Sequence, residues 1–276
     1  MLEQIEYTNH LNESISLNGL SGIFVNYNDL HDYSWNYTSY NNKISSFDKG
    51  VVSKTIPVLI CCSSDDEGLE LRNQLMEIAE KDVLAMEHGK IWIGDYYLKC
   101  FITESKKSNY LMRKGYMETS LTVISDYPNW IKETTTSFTN SVTVGQSNGF
   151  LDYPYDYAYD YLSTAAYKIL SNDGYVESNF RIIIYGPVSN PIIYINDHAY
   201  QVNVTVESGE YLTIDSLSKT IVLTEIDGTE TNVFNYRNRD SYIFEPIVVG
   251  NNEVAWDNTF IFDIILLEER SEPEWT

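Results

Sequence analysis

The chain has 276 residues, of which 43% are hydrophobic, so it can form one large domain or two ordinary ones and is not a disordered protein. Its formal net charge of −22 opposes binding to nucleic-acid phosphates and to anionic lipid headgroups. The 18 Lys and Arg residues are scattered, so no basic stripe for sequence-specific nucleic-acid binding is predicted. The 23 tyrosines favour β structure, because aromatic side chains suit a pleated, half-buried surface.

The cysteines and the N-terminal sequence indicate a protein made in a reducing cytosol. Cys61, Cys62 and Cys100 form no CxxC pair and are odd in number, so a disulfide framework is not expected. The opening residues, MLEQIEYTNH, have no basic region and no long apolar run, which argues against a signal peptide. No segment approaches the roughly 20 apolar residues that a membrane span needs, so no membrane association is predicted.

The first predicted elements are strands. Apolar residues alternate in SISLNGLSGIFV on both sides of a turn marked by Gly19 and Gly22. The run VVSKTIPVLICC predicts another apolar strand.

One helix is predicted, over SSDDEGLELRNQLMEIAEKDVLAM. Ser64 or Asp65 would be its N-cap, and the acidic residues that follow favour a helix start. Met86 could extend the apolar stripe, Asp82 interrupts it, and Gly89 is the predicted stop. The stripe consists of Leu71, Leu75, Ile78 and Ala79.

A hairpin is predicted after the helix, because apolar residues alternate on both sides of Gly94-Asp95. The stretch TTTSFTNSVTVGQSNG is rich in small polar residues and predicts a domain junction near residue 140. The chain becomes more acidic beyond it.

The second half predicts a β-sandwich, because short strands alternate with turn signals and show little helical pattern. The turn signals are Asn196-Asp197, Ser208-Gly209, Asp227-Gly228 and Gly250-Asn251-Asn252. The expected fold is mainly β, with an α+β first domain (1–140) that contains one long helix and a sandwich as the second (141–276).

The segment LDYPYDYAYDY, 151–161, has a tyrosine at every second residue. Pro154 favours an edge or an extended arm over a central strand. Tyrosine rings are enriched at interfaces, so a packing or interface role is favoured, while a sugar-stacking platform or a cation site at Asp156 and Asp160 stays open. The possible interface residues are Tyr153, Tyr155, Tyr157, Tyr159 and Tyr161.

No catalytic, metal or cofactor site is predicted. The histidines lie in no recognised catalytic motif. Asp29, His31 and Asp32 could hold a metal, but three such residues in one loop are common by chance. Glu207 and Glu210 flank a turn and could form a carboxylate pair, although a solvated acidic surface is the simpler interpretation. The histidines are His10, His31, His88 and His198.

Several segments, in this order, resemble the distal tail protein family of long-tailed (siphovirus-type) phages and related phage tail-like particles. They include LTVISDYPNWI, LDYPYDYAYDY, IIIYGPVSNPIIYINDHAYQVN, FEPIVVGNNEVAW and FDIILLEERSEPEW. The resemblance implies a ring-forming belt domain (1–140) followed by a galectin-like β-sandwich (141–276). It also implies a virion protein that is assembled in the host cytoplasm and needs no cofactor.

The resemblance implies a homo-hexameric ring at the tail tip. The ring would join the tail tube protein to the hub, fibre or receptor-binding proteins, and DNA would pass through it. An acidic wall that does not grip DNA suits such a passage. The most basic local run could pair charges between subunits or form a solvated loop, and both interpretations stay open. That run consists of Lys99, Lys106, Lys107, Arg113 and Lys114.

A carbohydrate-binding module for cell-surface attachment is the alternative function. Galectins bind sugar with a pattern such as HxNPR followed by WGxE. Here Asn190-Pro191 precedes Ile192 in place of Arg, and Trp256 is not followed by that Gly and Glu. Galectin-type sugar binding is therefore not expected.

Overall fold

The computed structural model describes residues 4–19, 21–25, 27–110, 115–140 and 166–275. Within these ranges the chain is mainly β with one α-helix, which confirms the predicted fold class. It divides into two compact units, unit 1 (Met1–Lys132 with Glu269–Thr276) and unit 2 (Glu133–Glu268). The last residues of the chain thus group with the first unit. The predicted domain limits of 1–140 and 141–276 stay a prediction.

The elements that begin in the first half of the chain are β1 (Ile5–Thr8), β2 (Ser14–Ser16), β3 (Ile23–Val25), β4 (Asn36–Tyr40), β5 (Lys43–Asp48), β6 (Val52–Cys61), α1 (Asp65–Ala85), β7 (Gly89–Ile93), β8 (Tyr96–Tyr110), β9 (Tyr116–Ser125) and β10 (Trp130–Phe138).

The elements of the second half are β11 (Ala166–Asn172), β12 (Asn179–Tyr185), β13 (Val188–Ser189), β14 (Ile192–Ile195), β15 (His198–Gln201), β16 (Thr205–Val206), β17 (Tyr211–Asp215), β18 (Thr220–Thr224), β19 (Glu230–Asn232), a short 3-10 helix (Phe234–Tyr236), β20 (Gly250–Trp256) and β21 (Ile261–Arg270).

Unit 1 is organised around the long strand β8. It pairs antiparallel with β7, β9 and β10, while β1 and β2 continue from β7, and β6 and β3 continue from β9. The helix α1 packs against β8 and β6. Side chains from the strands and from α1 form one core, which includes Ile60, Leu75 and Leu98. The Gly94-Asp95 hairpin is confirmed, because Ile93 and Tyr96 face each other across it.

The helix begins as its sequence predicts and ends earlier. The Ser64 hydroxyl accepts a hydrogen bond of 3.2 Å from the Glu67 amide. The predicted stripe is confirmed at Leu75, Ile78 and Ala79, which are buried. Met86 does not extend it, because this residue leaves the helix in the left-handed region (φ 57°) and is 78% exposed. Gly89 is therefore not the stop, and it opens β7 instead.

Unit 2 is a β-sandwich, as the strand pattern predicts. One antiparallel sheet has the order β19-β18-β17-β12-β21, and the other has the order β11-β20-β14-β15. Ile182 and Leu212 of the first sheet share one core with Leu170, Ile193 and Trp256 of the second. In β12 and β17, buried residues alternate with mainly half-buried ones, so one face of their sheet lies against this core.

Two of the predicted turns of unit 2 are confirmed as hairpin turns. Asn196 and Asp197 have φ values of 48° and 65° and join β14 to β15. The Asp227-Gly228 turn closes with a hydrogen bond of 2.9 Å from the Gly228 amide to the Glu225 carbonyl. Both turns use residues that tolerate the left-handed backbone, so local sequence was sufficient to predict them.

The turn predicted at Gly250-Asn251-Asn252 is wrong, because these residues open β20. Asn252 is fully buried. Its amide donates to the carbonyls of Leu170 (3.3 Å) and Val248 (2.9 Å), and this hydrogen bonding satisfies a polar group inside the unit. An asparagine that works as a buried crosslink has the same local signature as one in a turn.

Candidate functional site

The most exposed element of unit 1 is the hairpin of β4 and β5, 36–48, here named the hairpin arm. Asn41 and Asn42 form its two-residue turn with φ values of 50° and 56°, which suit asparagine and the twist of the strands. These two strands form a sheet of their own, separate from the sheets that enclose the core. This hairpin is not among the predicted elements, although Asn-Asn between strand-forming residues is a signal that could have identified it.

Every residue of the hairpin arm is exposed, including its large apolar residues. Tyr37 (65% exposed) lies opposite Phe47 (59%), Tyr40 (75%) precedes the turn directly, and Ile44 (57%) is the second residue after it. Only Lys43, beside the turn, and Asp48, at the base, carry charge. Aromatic residues without surrounding charges are typical of the centre of a protein interface.

The base of the hairpin arm is attached to unit 1 through Lys49. Its ammonium donates to Asn129 Oδ1 at 2.6 Å and lies 4.7 Å from the centre of the Trp35 ring. Trp35 in turn meets Phe47 edge-on, with 6.4 Å between ring centres. Burial lowers the pKa of Lys49. These contacts orient the arm while its strands remain uncovered.

The residues considered for a metal site form a loop around a lysine. The Lys54 ammonium donates to the carbonyls of Asp29, at 2.9 Å, and of Asp32. The Asp29 carboxylate accepts from the Thr55 amide at 2.7 Å, and the His31 ring stacks on the Trp275 ring at 4.0 Å. Burial lowers the pKa of Lys54. The loop therefore holds an internal cation, and the described residues contain no cluster of three or more side chains that could ligate a metal.

A buried polar cluster lies between α1 and the first strand. Asp82 is fully buried, and its Oδ2 accepts a hydrogen bond from the Tyr7 hydroxyl. Its Oδ1 accepts from the His10 amide at 2.9 Å and lies 2.5 Å from His10 Nδ1. Burial, and then the hydrogen bond to Asp82, raise the pKa of Tyr7. The carboxylate that interrupts the helical stripe is thus a structural anchor.

This cluster depends on a glycine, and the cluster was not predicted from the sequence. A Cβ at Gly89 would overlap the Asp82 carboxylate and the Tyr7 hydroxyl, so only glycine fits beside them. A charged residue on an otherwise apolar helix face was the available signal, because such a residue must find partners when the face is buried. The partners themselves are far away in the sequence and could not be predicted.

The second unit brings together His198 and Ser241, but not as a catalytic pair. The Ser241 hydroxyl donates to the Ala199 carbonyl at 2.7 Å, so its proton is directed away from the imidazole. His198 Nε2 lies 3.1 Å from that hydroxyl and 2.8 Å from the Tyr242 carbonyl. A histidine that donates to a carbonyl through this nitrogen cannot accept a proton there, so the arrangement lacks an activated nucleophile.

The Glu207 and Glu210 pair closes a turn. The Glu210 carboxylate accepts from the Glu207 amide at 2.9 Å, and the Glu210 amide donates to the Glu207 carbonyl at 3.1 Å. Trp256 is 3% exposed and its Nε1 donates to the Phe260 carbonyl at 3.2 Å. This indole belongs to the sandwich core and offers no ring face for stacking on a sugar.

The basic run is partly described. Lys99, Lys106 and Lys107 lie on β8; Lys106 pairs with Glu104 at 3.1 Å, and Lys107 donates to the Ser105 carbonyl at 3.2 Å. Arg113 and Lys114 lie outside the described residues, as does the whole tyrosine segment, 151–161. The proposed interface roles of that segment and of the basic run stay predictions.

The cysteines are free, and Cys100 is buried in the core of unit 1, where burial raises its pKa. Over the part of the chain that the structure describes, no helix has the length and apolar character needed to cross a membrane.

Comparison with known proteins gives a structural match without a sequence match. No protein-family model matches the chain. No curated protein matches its sequence.

Solved structures with the same fold come from phage adsorption machinery. The SPP1 Dit (gp 19.1) protein, a paradigm of the hub of the adsorption apparatus in phages that infect Gram-positive bacteria, has a TM-score of 0.55 and 10% identity; the match covers 98% of this chain and all of that one. A chain of the phage P2 baseplate in its activated conformation with Ca has a TM-score of 0.62 and 13% identity, over 99% and 100% of the two chains. The Sr form gives 0.61 at 13% identity, with the same coverage. At these identities, the similarity establishes the fold.

Proposed function

We propose that this chain is a structural protein of a phage tail tip that forms a hexameric ring between the tail tube and the hub or baseplate. The observation that carries this proposal is the fold, which matches an SPP1 hub protein and a P2 baseplate chain over their entire lengths. The order of the sequence segments that resemble distal tail proteins supports the same assignment. The protein would be part of the virion and would be assembled in the host cytoplasm.

The two parts of the chain would have different tasks. The N-terminal part, 1–140, would form the ring, and the galectin-like sandwich, 141–276, would face the hub, fibre or receptor-binding proteins. A subunit with a hydrophobic core in each unit can supply rigid surfaces for both tasks.

The charge of the chain suits a passage for DNA. With 40 acidic and 18 basic residues, six copies would surround the passage with a strongly negative wall. Such a wall repels phosphates and lets DNA slide without sequence-specific contacts.

A structural role is supported by the local chemistry of the candidate residues. The Ser241 hydroxyl donates its proton to a carbonyl, and the Glu210 carboxylate accepts a hydrogen bond from the Glu207 amide. Trp256 is buried, so the carbohydrate-binding alternative receives no support from this residue.

Light scattering coupled to size-exclusion chromatography tests the ring. The full-length chain is measured alone and with the tail tube protein of the same particle. We expect a species of six times the 31.8-kDa chain mass, and negative-stain images should show a ring with a central opening. A chain that remains monomeric at high concentration in both conditions contradicts the proposal.

A further inference from the structure

We propose that the hairpin arm of one copy docks on the exposed face of α1 in the next copy, and that this contact closes the ring. The inference rests on the proposed function, because it assigns the surfaces through which the subunits of that ring would meet. It names a second copy of this chain as the partner of the arm.

The arm needs a partner for a thermodynamic reason. A two-stranded hairpin without further strands or a packed face is at best marginally stable in water. Tyr37, Tyr40, Ile44 and Phe47 are all more than half exposed and contribute nothing to the core of unit 1. Covering such rings removes apolar area from water at about 25 cal/mol per Å², which would stabilise both the hairpin and the contact.

The low charge of the arm makes it the part of the subunit best suited to contact a second acidic copy. Two copies, each with a net charge of −22, repel one another over most of their surfaces. The arm contains one lysine and one aspartate, so it can approach an acidic body without adding to the repulsion. Lys43 lies next to the turn, at the tip of the arm, so its positive charge would reach the acidic partner first. Asp48 lies at the base of the arm.

The exposed face of α1 has the complementary character. Leu84 in its last turn and Met86 just after its end are 79% and 78% exposed, so both offer apolar area that the rings could cover. Its basic residues are engaged within unit 1, since Arg72 donates to the Tyr116 carbonyl and Lys81 pairs with Glu13 at 2.9 Å. The exposed carboxylates of the helix are Asp65, Asp66, Glu67, Glu70, Glu77 and Glu80.

The arm and α1 are different surfaces of the same subunit, so their contact is heterologous. Each copy can then offer its arm to one neighbour and its helix to the other. Contacts of this kind produce a closed ring when the rotation between subunits divides a full turn, as the proposed hexamer requires.

Photo-crosslinking identifies the surface that the arm touches. Tyr40→p-benzoylphenylalanine places the reactive group at an exposed site of the arm. Equal amounts of unlabelled and 15N-labelled chains are mixed before irradiation, alone and with the tail tube protein. We expect crosslinked pairs of one light and one heavy peptide that join the arm to α1.

Matched substitutions test how much the contact contributes to assembly. Tyr37→Ser with Phe47→Ser removes two exposed rings, and we expect a rise of about tenfold or more in the dissociation constant of the oligomer. Tyr175→Ser is the control, because Tyr175 is also 65% exposed but lies in unit 2. Lys43→Glu should weaken assembly as well, and added salt should partly reverse its effect. Circular dichroism checks that each variant is folded.

The outcomes distinguish a failure of the arm assignment from a failure of the ring proposal. If the wild-type chain forms an oligomer but its crosslinks do not join the arm to α1, the arm assignment is wrong and the ring proposal stands. The same holds if Tyr37→Ser with Phe47→Ser raises the dissociation constant no more than Tyr175→Ser does. Crosslinks to the tail tube protein in place of α1 also overturn the arm assignment. A wild-type chain that is monomeric in both conditions overturns the ring and the arm together.

Discussion

Tyr7 and Asp82 are joined by a hydrogen bond from the phenol to the carboxylate, and both side chains are fully buried. The pair connects the first strand of the chain to the last turn of α1 across 75 residues. It holds the helix in place on the sheet of unit 1, because a buried carboxylate is stable only while its hydrogen-bond donors stay in position.

Asp82→Ala should therefore destabilise unit 1 by about 3 kcal/mol, since it leaves the Tyr7 hydroxyl and the His10 amide unpaired in a buried site. Asp82→Asn keeps an oxygen acceptor and should cost less. Chemical denaturation followed by helix circular dichroism measures both. The control is Glu80→Ala, an exposed position of the same helix, with an expected change within about 0.5 kcal/mol. Equal losses for Ala at 80 and 82 would contradict the anchoring role.

The stability of unit 2 should depend on pH through Tyr200. Its hydroxyl donates to the Glu245 carbonyl at 2.8 Å, and burial raises its pKa above the ordinary value of 10.0. Above pH 10 the unfolded chain releases a proton that the folded chain keeps, so stability is fully present below this pH and falls as the pH rises. Above pH 10, Tyr200→Phe should make the fall in the free energy of unfolding less steep by about 1.4 kcal/mol per pH unit.

Urea denaturation of wild type and Tyr200→Phe between pH 7 and pH 11 provides the measurement. The difference in the free energy of unfolding between the two proteins should be constant from pH 7 to pH 9 and should change only at higher pH. Parallel curves over the entire range would show that Tyr200 does not contribute to the alkaline loss of stability.

The C-terminal segment should stabilise unit 1, with which it groups. Glu269 Oε2 accepts from the Tyr127 hydroxyl at 2.7 Å and from the Asn129 amide at 3.4 Å. Glu269→Ala should cost about 1–2 kcal/mol, because half-buried donors lose their charged acceptor. Thermal unfolding measures the loss. Glu274→Ala, which removes a more exposed carboxylate 3.7 Å from Arg270, should have a much smaller effect.

Lys54 should hold the 29–32 loop in place. Lys54→Met keeps the length of the side chain and removes the donor to the Asp29 and Asp32 carbonyls, so we expect a loss of about 2 kcal/mol. Hydrogen exchange should become faster in that loop while β8 remains protected. Lys106→Met is the control, since that side chain is 73% exposed. Unchanged exchange in the loop would show that the ammonium is not needed there.

Local sequence was enough to predict the start of the helix and several turns. Ser64 caps α1 because its hydroxyl needs only an amide three residues away, and Asn196-Asp197 turns the chain because both residues tolerate the left-handed backbone. These features depend on interactions between neighbours, which a pattern of residue types contains. The mainly β fold follows in the same way from alternating apolar residues between turns.

The long-range pairs could not be predicted from local patterns. Asp82 appeared as a defect in an apolar stripe, and only the folded chain places Tyr7 and His10 beside it. Gly250-Asn251-Asn252 matched a turn, yet Asn252 is a buried crosslink because Leu170, 82 residues away in the sequence, supplies a carbonyl to its amide.

The sequence by itself determined the mainly β class, the long helix α1, the acidic charge and the resemblance to a phage tail family, because these reside in composition and in short-range order. Only the tertiary structure decided that the hairpin arm is uncovered, that Trp256 is buried and that the last residues group with the first unit. Exposure is a property of contacts between distant parts of the chain. A tyrosine in the same local pattern of apolar and polar residues can therefore lie either in a core or on an exposed surface.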